Sequence, residues 1–273
     1  MTKLFQHGSG NVRPAAVAGQ FYPDNPAELR RMTEGFLREV KRTEAPVPKA
    51  IIAPHAGYIY SGPIAASAYA RFAAARESIK RVVIIGPSHR VPFDGLATTS
   101  AEIWATPLGA IPVDTAAVRE LRPLPHVSVL DEAHAHEHSL EVHLPFLQIV
   151  LADFKIVPMV VGDASDQQVS EVLEKLWGGS ETLIVISSDL SHYQDYETAN
   201  RMDRATAKAV EKLRPEDIGE EQACGRIPMR GLLRAARSHG LRVRTVDLRN
   251  SGDTVGPRSE VVGYGAWAFE EET

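Results

Sequence analysis

Short runs of apolar, β-branched residues alternate along the chain with longer segments whose apolar residues recur at helical spacing. Continuous runs of this kind, without polar alternation, are typical of strands buried on both faces of a parallel sheet. The predicted strands span residues 50–53, 81–85, 154–161 and 183–186. Two further strand-like runs, 241–248 and 260–269, are expected to join or extend the same sheet.

The helical pattern fills the intervals between these strands. It predicts helices over residues 26–40, 63–76, 115–121, 165–176, 197–213 and 230–238, and an amphipathic stretch over residues 144–151. Segment 103–113 contains Pro107 and Pro112 and is expected to be irregular or edge structure. Because no linker, internal repeat or low-complexity segment interrupts the alternation, we predict an α/β fold with one domain over residues 1–273. Its core is a largely parallel mixed β-sheet flanked by helices.

Three of the predicted strands end in a short turn that carries a histidine. These histidines are His55, His89 and His192. Ligands of open α/β sheets bind outside the carboxyl ends of the strands. The three side chains are therefore expected to converge on one crevice.

Composition narrows the classes of function. The 273 residues include 44% hydrophobic residues and carry a formal net charge of −5, without a basic stripe, so nucleic acid is not an expected partner. No apolar run reaches the roughly 18 residues of a membrane span, and no signal peptide is recognisable, so we expect a cytoplasmic protein without a membrane partner. The single cysteine, Cys224, excludes an intramolecular disulfide.

His55 and His89 provide the first candidate chemistry. Two neutral imidazoles at neighbouring strand ends, with a third anionic ligand and open positions, form a facial site for a divalent transition metal. The alternative is that each histidine only forms a hydrogen bond with its loop. Their occurrence on matching turns favours the metal site.

The third turn, residues 187–192, places Asp189 three residues before His192. Asp189 can orient His192 or hold a protonated partner, as a general base requires. Ser188 raises the possibility of a serine hydrolase, but the chain has no Gly-x-Ser-x-Gly motif, so we disfavour that class.

Residues 131–143 are rich in histidine and glutamate, but their spacing matches neither the zinc-protease motif His-Glu-x-x-His nor the inverted motif His-x-x-Glu-His. Two interpretations remain open for this segment. It forms a solvated loop leading into a helix, or Glu137, His138 and His143 lie at the rim of the crevice or behind its ligands.

Cys224 also has two interpretations. It precedes a predicted helix and lies near Arg226, and both features favour a thiolate. A free cysteine is, however, usually a small buried apolar residue. The residues alone do not decide between them.

Six motifs, in order, resemble the MEMO family, whose prokaryotic members are often called AmmeMemoRadiSam system protein B. They are Ala-Gly-Gln-Phe-Tyr-Pro at 18–23, Ala-Pro-His-Ala-Gly-Tyr at 53–58, Gly-Pro-Ser-His at 86–89, Glu-His-Ser-Leu-Glu-Val-His-Leu-Pro at 137–145, Ser-Asp-Leu-Ser-His at 188–192 and Cys-Gly-Arg at 224–226. The resemblance covers nearly the whole chain. It implies a fold like that of the class III extradiol (LigB-type) dioxygenases.

The resemblance also implies a ligand set of His55, His89 and Cys224, with His192 as acid/base partner assisted by Asp189. Tyr58 and Ser88 join the residues expected at the rim or behind the ligands. Iron(II) is the expected metal, with copper or zinc as alternatives. Relatives with ring-cleaving activity use a glutamate as third ligand, so the thiolate here puts that activity in doubt.

Three functional hypotheses follow from the residues and the resemblance together, the third being metal-dependent hydrolysis with zinc. The first is a non-haem metal protein with redox or dioxygenase-like chemistry on an unknown small molecule or peptide. The second is a non-catalytic module that binds a phosphorylated or acidic peptide, or a small anion, in the same crevice. The family name further implies a shared pathway with a radical-SAM protein.

Overall fold

The computed structural model describes residues 11–41 and 45–271. Its strands are β1 Val12–Arg13, β2 Ala50–Ala53, β3 Arg81–Pro87, β4 Leu96–Thr98, β5 Ile103–Thr106, β6 Gly109–Pro112, β7 Val127–Val129, β8 Lys155–Val161, β9 Thr182–Ser187, β10 His192–Gln194, β11 Arg242–Asn250 and β12 Val261–Glu270. Its α-helices are α1 Pro26–Glu39, α2 Tyr58–Tyr69, α3 Thr115–Glu120, α4 Asp131–Ala135, α5 Leu144–Val150, α6 Asp166–Leu176, α7 Tyr196–Glu211 and α8 Arg226–Ser238. None of the helices in this part of the chain is both long enough and apolar enough to cross a membrane.

The main sheet is mixed, with a parallel centre. Its strand order is β10-β12-β2-β9-β3-β8-β4-β7, and β11 also pairs with β12. The pairs β2–β9, β9–β3 and β3–β8 are parallel, whereas β12 runs antiparallel to β2 and β4 antiparallel to β8. The Val and Ile side chains of the central strands are buried, as expected for strands covered on both faces. The predicted fold class, a mixed sheet flanked by helices, is confirmed.

The three strands that carry the histidine turns are direct neighbours, with β9 in the middle. Ala53 at the end of β2 pairs with Ser187 at the end of β9, and Ile85 of β3 pairs with Ile186. The strands therefore end almost level. This register brings the turns after β2 and β3 to either side of the turn after β9.

The segment with two prolines forms part of a separate small sheet. Strands β5 and β6 are antiparallel, and β1 pairs parallel to β5. Pro107 lies in the hairpin turn and Pro112 ends β6. The expectation of edge structure is correct, because neither proline interrupts a central ladder.

Two helices begin earlier than the sequence pattern predicts. Helix α2 begins at Tyr58, so Pro63 lies inside it. Its first turn is held by the Tyr58 amide, which donates to the Phe21 carbonyl at 2.8 Å, a contact from a distant segment. Helix α8 begins at Arg226 rather than near residue 230. In its first turn the Met229 amide donates to the Gly225 carbonyl at 2.9 Å.

Candidate metal centre

Three histidines meet at the carboxyl ends of the central strands. One ring nitrogen from each of His55, His89 and His138 lies within 4.8 Å of the other two. The ring centroids of His89 and His138 are 4.6 Å apart in a stacked arrangement, and His55 meets both rings edge-on. His55 is buried and His89 is exposed, so the cluster opens to solvent on the His89 side.

His89 is held by the carboxylate of Glu137. Its backbone amide donates to Oε2 at 2.6 Å, and its Nδ1 lies 2.9 Å from Oε1. The amides of His138 and Ser139 also donate to Oε1. Burial alone would raise the pKa of Glu137, but the hydrogen bonds and charge from His89 outweigh it and lower the pKa to about 2. A carboxylate behind a ligating imidazole is a common arrangement at metal sites.

His55 is held differently. Its Nδ1 lies 2.6 Å from the Ser187 hydroxyl, and its backbone amide donates to Oδ1 of Asp189 at 2.8 Å. Its remaining nitrogen, Nε2, lies 3.4 Å from the sulfur of Cys224. Ser187 thus holds the ring and Asp189 holds the backbone, and Nε2 is left facing the cluster.

Cys224 lies next to this cluster, two residues before helix α8. Its sulfur accepts a hydrogen bond from the Asp189 amide at 3.3 Å. Burial, with a smaller contribution from Asp189, raises the pKa of the thiol to about 12. Of the two interpretations left open by the sequence, the structure favours the neutral, partly buried thiol, because the loss of solvation outweighs the helix terminus and Arg226.

Asp189 and His192 both lie at the crevice, but no hydrogen bond joins this pair. Asp189 is buried against the His55 amide, and burial is the main cause that raises its pKa to about 6. The Nδ1 of His192 lies 2.7 Å from the Leu190 carbonyl, so that carbonyl, rather than Asp189, orients the ring. The Nε2 of His192 makes no hydrogen bond within the part of the chain that the structure describes.

The remaining predicted residues are divided between the site and the surrounding structure. His143 is buried, and its ring contacts the Ser187 hydroxyl. Because the same hydroxyl contacts His55, His143 lies behind the His55 ring. Tyr58 donates to the Val142 carbonyl at 2.7 Å, and the Ser88 hydroxyl donates to the Val91 carbonyl at 2.7 Å. These last two hydroxyls support loops and contact none of the three clustered histidines.

The histidine-rich segment is not a solvated loop. Glu137, Glu141 and His143 are all buried, and the segment runs from α4 through a single 3-10 turn, Glu141–His143, into α5. Its histidines diverge, since His134 packs edge-on against Trp104 and lies 3.1 Å from the Ala97 carbonyl. Spacing along the chain therefore did not indicate which histidines meet.

A cavity of about 590 Å³ adjoins Cys224. Its lining combines an apolar wall with groups of both charges and includes Val91, Phe93, Asp94, Asp163, Arg226 and Ile227. This volume suits a small ligand next to the histidine cluster.

The side chains available here suit a transition metal. Imidazole nitrogens and a thiol are ligands that iron, copper and zinc accept, and the open His89 side leaves positions for water or a ligand. The sequence places His138 only among the rim residues and gives no role to Ser187 or Tyr69. Ser187 directly follows an apolar run at a predicted strand end, and this position is a local signal for a residue at the site. Nothing in the local sequence marks Tyr69.

Comparison with known proteins identifies the family. A profile of the family described as "Memo-like protein" matches residues 13–268. The chain belongs to the Memo-like family. A "MEMO1 family protein" from Ignicoccus hospitalis is 37% identical over 94% of this chain and 98% of its own length. A second one, from Aquifex aeolicus, is 36% identical over 93% of this chain and 97% of its own length. The resemblance drawn from the six motifs is thus confirmed.

A solved structure shares the fold of this chain. The uncharacterized protein JW3007 from Escherichia coli K12 superposes with a TM-score of 0.52 over 80% of this chain and 98% of its own. The two chains are 14% identical, so the likeness concerns the fold alone.

Proposed function

We propose that this Memo-like protein is a non-haem metal protein that carries out redox or dioxygenase-like chemistry in the crevice at the strand ends. Iron(II) is the proposed metal, and copper and zinc are the alternatives. The observation that carries the proposal is the meeting of His55, His89 and His138, with Nδ1 of His55 and of His89 already engaged and Cys224 against His55 Nε2. Imidazoles fixed through one nitrogen present the other to an ion.

The proposed ligands are His55, His89 and Cys224. The 3.4 Å between Cys224 Sγ and His55 Nε2 supports this set, because ligand atoms about 2.0–2.3 Å from one ion lie some 3–3.6 Å apart. His138 is the competing third ligand, since its ring nitrogen lies with those of the other two histidines. Binding through Cys224 requires that the thiol lose its proton.

A bound transition metal supplies Lewis acidity and, for iron or copper, electron transfer. The chain supplies the proton chemistry around it. His192 has a free Nε2 and an anchored Nδ1, so it is the proposed acid/base residue. Asp189 is a buried carboxyl group whose pKa is raised by burial to about 6, and it holds the backbone of His55.

The test is metal analysis of protein purified without oxygen, combined with absorption and paramagnetic resonance spectra. We expect one iron or copper per chain, lost in His55→Ala, and a thiolate-to-metal absorption band lost in Cys224→Ala. His138→Ala decides whether the third histidine also ligates. His239→Ala is the matched control, because His239 pairs with Glu174 and stacks on Trp177, and neither of these partners belongs to the histidine cluster. Metal content that is absent in the wild type, or unchanged in His55→Ala, would overturn the proposal.

A binding module without turnover is the second candidate. The cavity beside Cys224 has Arg226 in its wall together with Asp94 and Asp163, so Arg226 is the group that would hold an acidic or phosphorylated ligand there. This candidate predicts that phosphate or an acidic peptide binds equally well after metal removal and in Cys224→Ala. Binding that disappears with the metal would instead favour the metal-dependent function.

A further inference from the structure

A continuous line of polar contacts runs from helix α2 to the back of His55. The Tyr69 hydroxyl lies 2.8 Å from Nδ1 of His143, and Nε2 of His143 lies 2.9 Å from the Ser187 hydroxyl. The same hydroxyl lies 2.6 Å from Nδ1 of His55. All four side chains are at most 2% exposed, so water does not replace any of these contacts.

The protons in this line can be assigned by counting donors and acceptors at Ser187. A hydroxyl has one proton and two lone pairs. The Ser187 oxygen also lies 2.6 Å from the Ser139 carbonyl, which only accepts, so the single proton must point there. Both lone pairs then accept, one from His55 Nδ1–H and one from His143 Nε2–H.

The assignment continues through His143. Burial lowers the pKa of His143 to about 3, so its ring is neutral and carries one proton. That proton is on Nε2, which leaves Nδ1 as the acceptor of the Tyr69 O–H. If His143 instead carried its proton on Nδ1, its Nε2 would have to accept the Ser187 proton. The Ser187 hydroxyl oxygen and the Ser139 carbonyl oxygen would then be in contact without a hydrogen between them. The buried line thus has one consistent direction.

We propose that Tyr69, His143 and Ser187 are positioning residues that hold His55 in the tautomer protonated on Nδ1, with the Nε2 lone pair presented to the metal. This role rests on the proposed metal-binding function. It differs from the support of His89, whose Nδ1 is held by the carboxylate of Glu137. The two histidines are thus fixed by groups of different charge, and only the His55 arm depends on three neutral side chains in series.

The first experiment uses the metal-free wild-type protein. Long-range nitrogen–proton correlation spectra of protein labelled with nitrogen-15 in its histidines report which ring nitrogen carries the proton. We expect His55 to be protonated on Nδ1 alone and His143 on Nε2 alone. A wild-type spectrum with His55 protonated on Nε2 would overturn the proposal without reference to any metal.

The second experiment compares two tyrosine variants from the same helix. Tyr69→Phe removes the hydroxyl that sets the His143 tautomer, whereas Tyr58→Phe removes a hydroxyl that donates to the Val142 carbonyl. Both tyrosines are buried, so the two variants lose comparable hydrogen bonds. We expect Tyr69→Phe to give mixed tautomers at His143 and to raise the dissociation constant for cobalt(II) about 10-fold, with Tyr58→Phe changing neither.

Ser187→Ala is the stronger variant, because it removes the acceptor of His55 itself. Thr33→Val is its control, since the buried Thr33 hydroxyl donates to the Leu29 carbonyl and contacts no histidine. Equal cobalt affinities in Tyr69→Phe and Tyr58→Phe would overturn the positioning role. If the wild type binds no metal, the proposed function fails, and the tautomer spectra separately show whether the line of hydrogen bonds exists.

Discussion

His55 Nε2 and Cys224 Sγ lie 3.4 Å apart, although 169 positions separate them in the chain. The imidazole comes from the turn after β2, and the thiol precedes α8. The backbone amide of Asp189, from the turn after β9, donates to the same sulfur. Three distant segments thus build one side of the candidate metal centre.

The Cys224 thiol is expected to react slowly in the metal-free protein. Because burial raises its pKa to about 12, its thiolate fraction near pH 7.5 lies far below that of an unfolded cysteine. We expect alkylation by iodoacetamide to be roughly 100-fold or more slower in folded than in urea-unfolded protein, and to accelerate with pH up to the alkaline limit of stability. Equal rates at pH 7.5 would contradict the raised pKa of the thiol.

Glu137→Gln is expected to weaken both the metal site and the fold. The carboxylate accepts hydrogen bonds from the backbone amides of His89, His138 and Ser139. In the glutamine variant one of the two oxygens becomes an NH₂ group, which donates and cannot accept from these backbone amides. We expect metal affinity to fall about 10- to 100-fold and the free energy of unfolding to fall by about 1–3 kcal/mol. Metal titration and urea denaturation measure the two effects. Glu132→Gln, an exposed position five residues earlier, should change neither.

Asp203→Asn is expected to change how stability depends on pH. Burial raises the pKa of Asp203 to about 6, and its Oδ2 has no hydrogen-bond partner among the described residues. The folded state therefore keeps a proton that the unfolded state releases near pH 4, so this group lowers stability as pH rises from about 4 to 6. We expect the variant to be more stable than the wild type by roughly 1–3 kcal/mol at pH 7, with little difference near pH 4. Urea denaturation across this range measures it, and a pH-independent difference would contradict the raised pKa.

Glu141→Ala is expected to release the segment that packs over His138. The buried Glu141 carboxylate accepts from Arg13, from the Ala16 and Val17 amides and from the Tyr22 hydroxyl. Removing the Glu141 carboxylate leaves the Arg13 cation buried without its counter-charge, which lowers the free energy of unfolding by about 3–5 kcal/mol. Phe21 lies in this segment and contacts His138 at 4.6 Å between ring centroids. Urea denaturation should show the loss. A change below about 1 kcal/mol would show that the segment does not depend on Glu141.

Tertiary structure decided which histidines meet. His134, His138 and His143 lie within ten residues, yet one packs near Trp104, one joins the cluster and one lies behind Ser187. Their directions depend on how a short helix and a 3-10 turn are placed against the sheet, which depends on contacts from distant segments such as that of Arg13 with Glu141. No periodicity in the segment contains that information.

The sequence by itself determined the fold class, most elements and the strand-end positions of His55, His89 and His192. Buried Val and Ile runs, glycine and proline in turns and the six motifs are local signals, and parallel strands present their carboxyl ends at one edge. The tertiary structure decided the strand order β2-β9-β3, the closeness of Cys224, the place of His138 and the line from Tyr69 to His55. These features depend on the pairing of residues far apart in the chain and on which polar groups become buried together. Burial in the folded chain also raises the pKa of the Cys224 thiol.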